Sequence, residues 1–427
     1  MPDVFSNPAR RWIALALPIA FAIWFSYAGV KHALAAHYGE STNGDDWLRA
    51  TQIEPANAEN WYRLARYLQL DFDHSDLPLA ISYYRRAVQL NPRSPYYKLD
   101  LAGALEMSGE NAEADKYFRA AQDDYPISAE VSWKYGNFLL RQQRMAEAYA
   151  EIHRAVMVNP SLASIAVSRA WHGDPDVRIL LDQVLPDTAA ADWAAIVFLS
   201  EAQEATAALK VWERLAAKKP AIESKHLFGL IEMLLKQERY DDAGSVWRQA
   251  SSLQGDSPSS RNDDSLVFDG GFEKDISGGG FGWQQADVPG SDFDFDSDIK
   301  HGGGRSARIE FDGTQNLNYQ SLFQQVLVTP GTHYRFRGYL RTEQIQTDSG
   351  LRFEIVDPKD PKSLDILTPN ERGTQAWTLE EADFTPGPKT HLIQIRVFRA
   401  FSQHLDNKIR GTVWVDDVGI FPAGAKP

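Results

Sequence analysis

Cysteine is absent from the chain. That excludes disulfide frameworks, thiolate-held zinc or iron–sulfur centres, a cysteine nucleophile and a lipid-modified cysteine anchor. The patterns HExxH, GxSxG and GxxxxGK(S/T) are also missing, so metalloprotease, serine-hydrolase and phosphate-loop chemistries lose their signatures. The ten histidines show no metal-ligand spacing, and Ser297 to Lys300 spells SxxK without companion motifs. Paired acids such as Glu380 and Glu381 would serve a glycosidase only if two carboxyl groups faced one cleft about 5–10 Å apart, which spacing in sequence does not show. No catalytic residue is assigned. Basic charge is short as well: 44 Lys and Arg against 58 Asp and Glu leave a formal net charge of -14, and phosphate backbones are bound by basic faces. Nucleic acid is therefore not an expected partner.

Long apolar runs are scarce too, and the single one is informative. Trp12 to Val30 reads WIALALPIAFAIWFSYAGV without a charge, and at 1.5 Å per residue it spans about the 30 Å of a bilayer's hydrocarbon core. Arg10 and Arg11 precede it, with Trp12, Trp24 and Tyr27 near its ends, a pattern that puts the N-terminus in the cytoplasm. Pro18 is compatible with a lipid-embedded helix. A cleavable signal peptide is the competing reading, since Ala33-Leu34-Ala35 resembles a cleavage site, but Lys31 and His32 intervene and the run exceeds a signal peptide's apolar core. Only Arg10-Arg11 matches a twin-arginine export signal. A buried core helix would need apolar flanks, and His37 to Asp46 is polar. Each export reading places the remainder outside the cytoplasm, in a bacterial cell the periplasm or cell surface; the alternative to an anchored protein is one secreted after cleavage.

The 427 residues, 43% apolar and 24% charged, suit two or three folded units, and the middle of the chain repeats. Pro92, Pro126 and Pro160 are 34 apart, as are Pro186 and Pro220; Ala80, Ala114 and Ala148, and Ala87, Ala121 and Ala155, keep the same interval. Tyr84 with Val88, and Phe118 with Ala121, have helical spacing. Ala102 and Gly136 mark close helix crossings. Each unit therefore reads as a helical hairpin. The segments ENWYRLARYL with LAISYYRRAVQLNP, YKLDLAGALEMSGENAEADKYFRAAQDDYP and VSWKYGNFLLRQQRMAEAYAEIHRAVMVNP resemble tetratricopeptide repeats, a likeness running from Trp47 to about Leu253. The first unit carries three extra residues, expected in the turn Asp71 to Asp76, and Ser161 to Pro186 departs from the pattern at His172-Gly173-Asp174-Pro175. The resemblance implies a solenoid that binds a protein partner on its inward helices, with Tyr62, Arg66, Leu99, Trp133 and Asn137 on those helices and Trp133 the leading groove residue. The alternative for each aromatic is plain core. The carboxylate clamp of chaperone-binding relatives is not reproduced.

After the polar stretch SSLQGDSPSSRNDD, alternating runs rich in Val, Ile, Phe, Tyr and Trp begin: Tyr334 to Arg341, Leu351 to Val356, His391 to Phe398 and Thr412 to Phe421. About nine strands without a helix pattern predict a two-sheet antiparallel jelly roll. The succession LVFDGGFE, Gly282-Trp283, GGGRSARIEF, FQQVLVTPGTHYRFRGYLRTE, AWTLEEADFTPG and GTVWVDDVGIF resembles the carbohydrate-binding modules appended to cellulases and xylanases. That resemblance implies a structural calcium held by Glu273 and Asp416, with Asp269 and Asp417 close by; the alternative is that Asp416-Asp417 simply ends a strand. The acidic run Asp292, Asp294, Asp296 and Asp298 lacks the central Gly and final Glu of a calcium loop and reads as a strand with a wet acidic face.

The strand period of two puts Tyr334, Phe336 and Leu340 inward and Arg335, Arg337, Tyr339 and Arg341 outward. Likewise Arg352 with Glu354, and Gln394 with Arg396 and Phe398, face out. If these strands line one concave surface, rings for sugar faces and guanidinium groups for carboxylates make a groove for an anionic polysaccharide. The alternative is that the arginines pair with neighbouring acids.

The expected organisation is thus α then β: residues 1–11 cytoplasmic, a transmembrane signal-anchor helix at 12–30, a juxtamembrane linker at 31–46, a tetratricopeptide-like helical domain at 47–253, a linker at 254–264, a β-sandwich at 265–422 and a tail at 423–427. The function expected is a membrane-anchored adaptor for envelope or exported polysaccharide machinery. A protein-interaction scaffold without glycan binding and, more remotely, a hydrolase with a degenerate site are the alternatives.

Overall fold

A computed structural model describes residues 8–41, 43–71, 73–222, 224–253, 265–405 and 407–423. The expected linker 254–264, the first seven residues and the end of the tail lie outside them. Contacts divide the chain into two units, Met1–Pro186 and Asp187–Pro427.

The first unit opens with α1 (Pro8–Gly39) and α2 (Gly44–Ile53), followed by α3 (Ala58–Leu70), α4 (Leu77–Leu90), α5 (Pro95–Met107), α6 (Asn111–Asp124), α7 (Ala129–Arg141) and α8 (Met145–Val158). It closes with α9 (Ala163–Gly173) and the short α10 (Val177–Ile179), which runs into a π-turn over Leu180–Val184. Helices α3 and α4, α5 and α6, and α7 and α8 pair as hairpins. The proline period has a mechanical origin. Helices α4, α6 and α8 end at the C-caps Asn91, Tyr125 and Asn159, and the proline after each cannot continue a helix. Ser94 and Ser128 then cap the next helices through their side chains. All six periodic alanines are fully buried. At Gly136 an added Cβ would meet Ile152 Cγ1 at 2.9 Å and the Ala148 carbonyl at 3.2 Å, so α7 and α8 touch where the small residue was expected to allow it. The extra residues of the first repeat fall between α3 and α4, as expected.

The region 31–46, expected as a linker, is ordered differently. The apolar helix does not stop at Val30 but continues to Gly39 as one 32-residue helix, and its last turns pack on α2. Ala35 and Ala50 are fully buried there. His32 Nδ1 lies 2.9 Å from Glu54 Oε1, and Arg63 Nη1 donates to the Gly39 carbonyl at 2.7 Å. No Pro or Gly interrupts Lys31 to Tyr38, and its alanines are strong helix formers, so the helix propagates through the polar residues. The part from Ala16 to Gly39 has a mean hydropathy of 1.3 and is long and apolar enough to cross a membrane. Leu17, Ile19, Phe21, Ile23, Trp24, Phe25, Tyr27 and Val30 are all more than half exposed, which removes the buried-core-helix reading.

The second unit begins with two hairpins, α11 (Ala189–Glu201) with α12 (Ala205–Ala217) and α13 (Phe228–Lys236) with α14 (Tyr240–Leu253). Ten strands follow: β1 (Gln284–Gln285), β2 (Ser291–Asp296), β3 (Ser306–Asp312), β4 (Leu322–Leu327), β5 (Tyr334–Ile345), β6 (Arg352–Val356), β7 (Asp365–Leu367), β8 (Gly373–Phe384), β9 (Leu392–Phe398) and β10 (Arg410–Pro422). They form two five-stranded antiparallel sheets, a first in the order β1-β4-β9-β6-β7 and a second in the order β2-β3-β10-β5-β8. The jelly roll was expected with about nine strands. Its core holds the predicted inward residues, among them Phe336, Leu340, Phe353, Ile355, Ile393, Ile395 and Val397. The acidic strand β2 leaves Asp292 and Asp294 exposed, as expected.

One buried cation ties the loops at an end of the sandwich. Arg399 is fully buried and donates to the Ser349 carbonyl at 2.7 Å, the Asn407 carbonyl at 2.8 Å, Asn316 Oδ1 and Thr347 Oγ1 at 3.2 Å, and the Leu317 carbonyl. Dry acceptors left without a donor cost about 1–3 kcal/mol each. Arg399→Ala is therefore expected to lower stability by about 3 kcal/mol or more in denaturant unfolding; a loss below about 1 kcal/mol would show that the loops do not depend on it.

Candidate functional site

Two surfaces bring together the side chains that sequence singles out. The first lies on α3, α5 and α7 of the helical unit. Tyr62 and Arg66 are one turn apart on α3, and both reach Asp100 of α5: Tyr62 Oη donates to Asp100 Oδ2 at 2.7 Å, and Arg66 Nε is 3.8 Å away. Lys134 of α7 completes the cluster at 3.2 Å from Asp100 Oδ1. Burial, and then the bond to Asp100, raise the Tyr62 phenol above its ordinary value. Asp100 is thus the hub of this face. The sequence does not mark it, because a lone acid on a helix carries no spacing signal.

Trp133 and Asn137 are one turn apart on α7. The Arg169 guanidinium of α9 sits 5.5 Å from the centre of the Trp133 ring, and Asn137 Nδ2 donates to the Trp133 carbonyl at 2.8 Å. The Asn137 Oδ1 is buried without a hydrogen-bond partner among the described residues. Leu99 does not belong to this surface. It is 1% exposed in the hairpin core, because it follows the buried stripe of α5 and not the stripe that carries Asp100.

The second surface is on the sandwich, and it corrects the expected groove. Arg335, Arg337, Tyr339 and Arg341 lie on β5 of the second sheet, whereas Arg352 lies on β6 and Arg396 and Phe398 on β9, both in the first. In a two-layer sandwich the outward faces of the two sheets point away from each other. The seven residues therefore form two sets and not one concave surface. The strand period tells inside from outside but not which sheet a strand joins.

Most of these arginines have neighbours. Arg335 Nε is 2.9 Å from Asp383 and Arg337 Nε 3.1 Å from Glu381, each directly across the β5/β8 pair. Arg396 Nη1 is 3.0 Å from both Glu354 Oε2 and Gln320 Oε1. Arg352 lies opposite Phe398. On the second sheet's outer face, however, the Tyr339 ring stacks on His301 with centroids 3.5 Å apart. Trp377 meets the same imidazole edge-on at 5.8 Å, and Arg341 lies 5.6 Å from the Trp414 ring centre. His301 Nδ1 is 2.7 Å from Asp417 Oδ2. His301 and Trp377 were not selected from sequence, because a loop and an edge strand of another hairpin bring them there.

Glu273 and Asp416 do converge, on the loop His301 to Gly304. Asp416 Oδ2 accepts from the His301 and Gly302 amides at 2.8 and 3.0 Å, and Glu273 Oε1 accepts from the Gly304 amide at 2.6 Å. Asp269 turns its oxygens to the amides of Glu273 and Lys274. Calcium takes about six to eight oxygen ligands, while among the described residues no three Asp, Glu or His side chains gather as a metal set. Asp269 and Asp416 each turn both oxygens to backbone N–H groups and Glu273 one of its two, so a calcium ion held by Glu273 and Asp416 would have to displace these bonds. Burial pushes both Asp269 and Asp416 up to about 6.

The matches to known proteins follow the two architectures. A tetratricopeptide repeat family model matches residues 68–126 and 108–158, so this stretch consists of tetratricopeptide repeats. Among solved structures, PilF of Pseudomonas aeruginosa is 18% identical with a TM-score of 0.29, over 54% of this chain and 92% of its own. YrrB, a TPR protein with an unusual peptide-binding site, is 14% identical with a TM-score of 0.27, over 50% of this chain and 95% of its own. The CBM22-1 xylan-binding domain of Paenibacillus barcinonensis Xyn10C is 14% identical with a TM-score of 0.26, over 38% of this chain and 94% of its own. No curated protein matches the sequence.

One carboxyl stands apart from both surfaces. Glu380 of β8 is 2% exposed, and its cross-strand partner Gly338 abuts Phe353 of the opposite sheet. Burial first, and the neighbouring Glu371 carboxyl after it, push Glu380 up to about 7, against a bond to Thr368 that lowers it. A carboxyl whose folded value lies above its unfolded one is held protonated by the fold. Its contribution is complete below about pH 4.5 and is lost as pH rises through about 7. Glu380→Gln is expected to remove that loss, so the variant's unfolding free energy gains on the natural protein between pH 5 and pH 8 by on the order of 2 kcal/mol. Parallel pH profiles for the two proteins would contradict it.

Proposed function

We propose that the protein is a membrane-anchored, extracytoplasmic adaptor that holds a protein partner on its repeats and presents a sandwich suited to an acidic glycan, in the assembly or export of envelope polysaccharide. Its role is binding, consistent with a repeat array and a jelly roll whose kinds are non-catalytic. One observation carries the reading: α1 passes from exposed apolar residues to the buried Ala35 without a break. Cleavage after Ala35 would remove a buried residue from the part of α1 that packs on α2, which favours a retained anchor over a removed signal. Arg10 and Arg11 ahead of the span favour a cytoplasmic N-terminus, with the repeats and the sandwich on the other side.

For the partner segment, the inward helices offer a polar face around Asp100 and the half-exposed Trp133. For the glycan, the favoured surface is the outer face of the second sheet, where Trp377, Tyr339 and His301 supply rings and Arg337 and Arg341 supply positive charge. Sugars present apolar faces to rings, and uronate or phosphate groups pair with guanidinium.

Two measurements test the reading. After expression in a Gram-negative host the chain is expected in the alkali-resistant membrane fraction with its residues before Ala35 intact by mass spectrometry; a soluble chain that starts near Ala36 would overturn the anchor. In gels cast with an acidic polysaccharide such as alginate, the natural protein is expected to be retarded and the Tyr339→Ala, Trp377→Ala double variant to migrate as in a blank gel. Equal retardation of both would sink the glycan face.

A further inference from the structure

The glycine run Ser277-Gly278-Gly279-Gly280-Phe281-Gly282 of the sandwich has no role in either surface described above. Gly278 and Gly280 have φ of +76° and +61°, where side chains are strained. Their neighbour Gly279 and Gly280 itself are constrained from outside the loop as well. A Cβ on Gly279 would lie 2.6 Å from the ring of Phe228, and one on Gly280 would lie 2.5 Å from the ring of Trp247. Phe228 begins α13 and Trp247 lies in α14. The loop is therefore a seat for two aromatic side chains of the last helical hairpin. Trp247 is 8% exposed, with Phe268 and Phe281 of the sandwich edge-on to it at 5.7 and 5.9 Å.

The contact extends along α14 at helical spacing. Tyr240 stacks on His391 with centroids 5.0 Å apart and planes 7° from parallel. Gly244, one turn on, comes so close to Leu327 of β4 that an added Cβ would meet its Cδ1 at 2.8 Å. Trp247 follows after a further turn. Lys359 adds polar contacts, donating to Tyr240 Oη at 2.9 Å and to Glu238 at 3.1 Å. A second stripe of the same helix, Ala243, Val246 and Ala250, is buried as well, and α14 packs on α12 and α13. A helix at the end of an open repeat stack ordinarily turns a polar face to water. Here that outer face reads Tyr, Gly, Trp and is covered.

We propose that the sandwich is the cap of the last helical hairpin, with the glycine loop as its socket, so that α13, α14 and the sandwich fold and open as one body. This capping role is independent of whether the sandwich binds glycan. It also fixes the sandwich's orientation relative to α13 and α14 by packing.

Hydrogen exchange on the full chain tests the coupling. Gly280→Val, a change made in the sandwich, is expected to speed exchange of the α13 and α14 amides by about tenfold or more, while β10 stays protected. Unchanged protection in α13 and α14 beside a protected β10 would overturn the proposal. Should the loop variant unfold the sandwich, a second experiment decides: a site-specific protease sequence is inserted between residues 254 and 264 of the otherwise natural chain and then cut. The two halves are expected to elute together on size exclusion and to separate when Trp247→Ala and Tyr240→Ala are added. Separation of the unsubstituted halves would overturn the cap.

Discussion

A helical hairpin has two faces to bury and only its neighbours to bury them against. Within a stack each hairpin covers the next, as the fully buried alanines of α4, α6 and α8 show, but a stack has ends, and an end hairpin must find another cover or carry a polar face. Much of what is unusual in this protein follows from that constraint. At the start, the apolar helix continues past Val30 and lays Ala35 against α2, with Arg63 holding the carbonyl of Gly39. At the last hairpin, a glycine loop receives Phe228 and Trp247. Neither cover is itself a repeat.

The same constraint explains which features were readable from sequence. The 34-residue period survives because proline after a C-cap and a small residue at a helix crossing are local demands, met in the same way in every hairpin. The alternation of the strands survives because a sandwich has one inside. What a period does not encode is the identity of the neighbour. Arg341 and Arg396 both read as outward, and both are, yet they sit on opposite layers, since sheet membership is decided by strand order and not by residue pattern. Counting along the repeat puts Leu99 on an inward helix as a groove candidate, and it does lie on α5, but the register of that helix turns Leu99 to the core and Asp100 to the surface. Residues 31–46 read as a linker because they are polar, although Ala33, Ala35 and Ala36 are good helix formers with one face to bury. The glycine run was visible as letters, while its reason, two rings from α13 and α14, was not.

Charge in this protein is mostly spent locally. The sandwich keeps Asp416, Asp269 and Glu273 against backbone amides, and the one that is fully buried, Asp416, can hold a seam through such bonds without a counter-ion. At the far end Arg399 does the reverse and gathers backbone carbonyls. These two devices join loops that the sheets leave apart, the glycine-bearing turn 301–304 in one case and the segments around 316, 348 and 407 in the other. The cross-strand pair Arg335 with Asp383 is exposed and contributes little to stability, while Arg337, paired with Glu381, is half-buried.

A packed cover on an end hairpin has a consequence for a protein-interaction scaffold. A flexible tether lets a bound partner search a wide volume at low effective concentration, whereas a packed joint sacrifices reach and removes the ordering cost at the moment of binding. From Val30 to the buried Ala35 the chain advances five residues, roughly 7.5 Å of helix. If the apolar run spans a membrane, the packing of α1 on α2 therefore keeps the start of the helical unit close to the membrane surface. The packing of α14 on the sandwich likewise allows no free rotation about the chain that joins them. Within each unit the cover is thus fixed by packing, helix phase in the first and ring contacts in the second. Inserting a residue before Ala35 would turn α2 about 100° around the helix axis, which a flexible linker would absorb and this joint transmits.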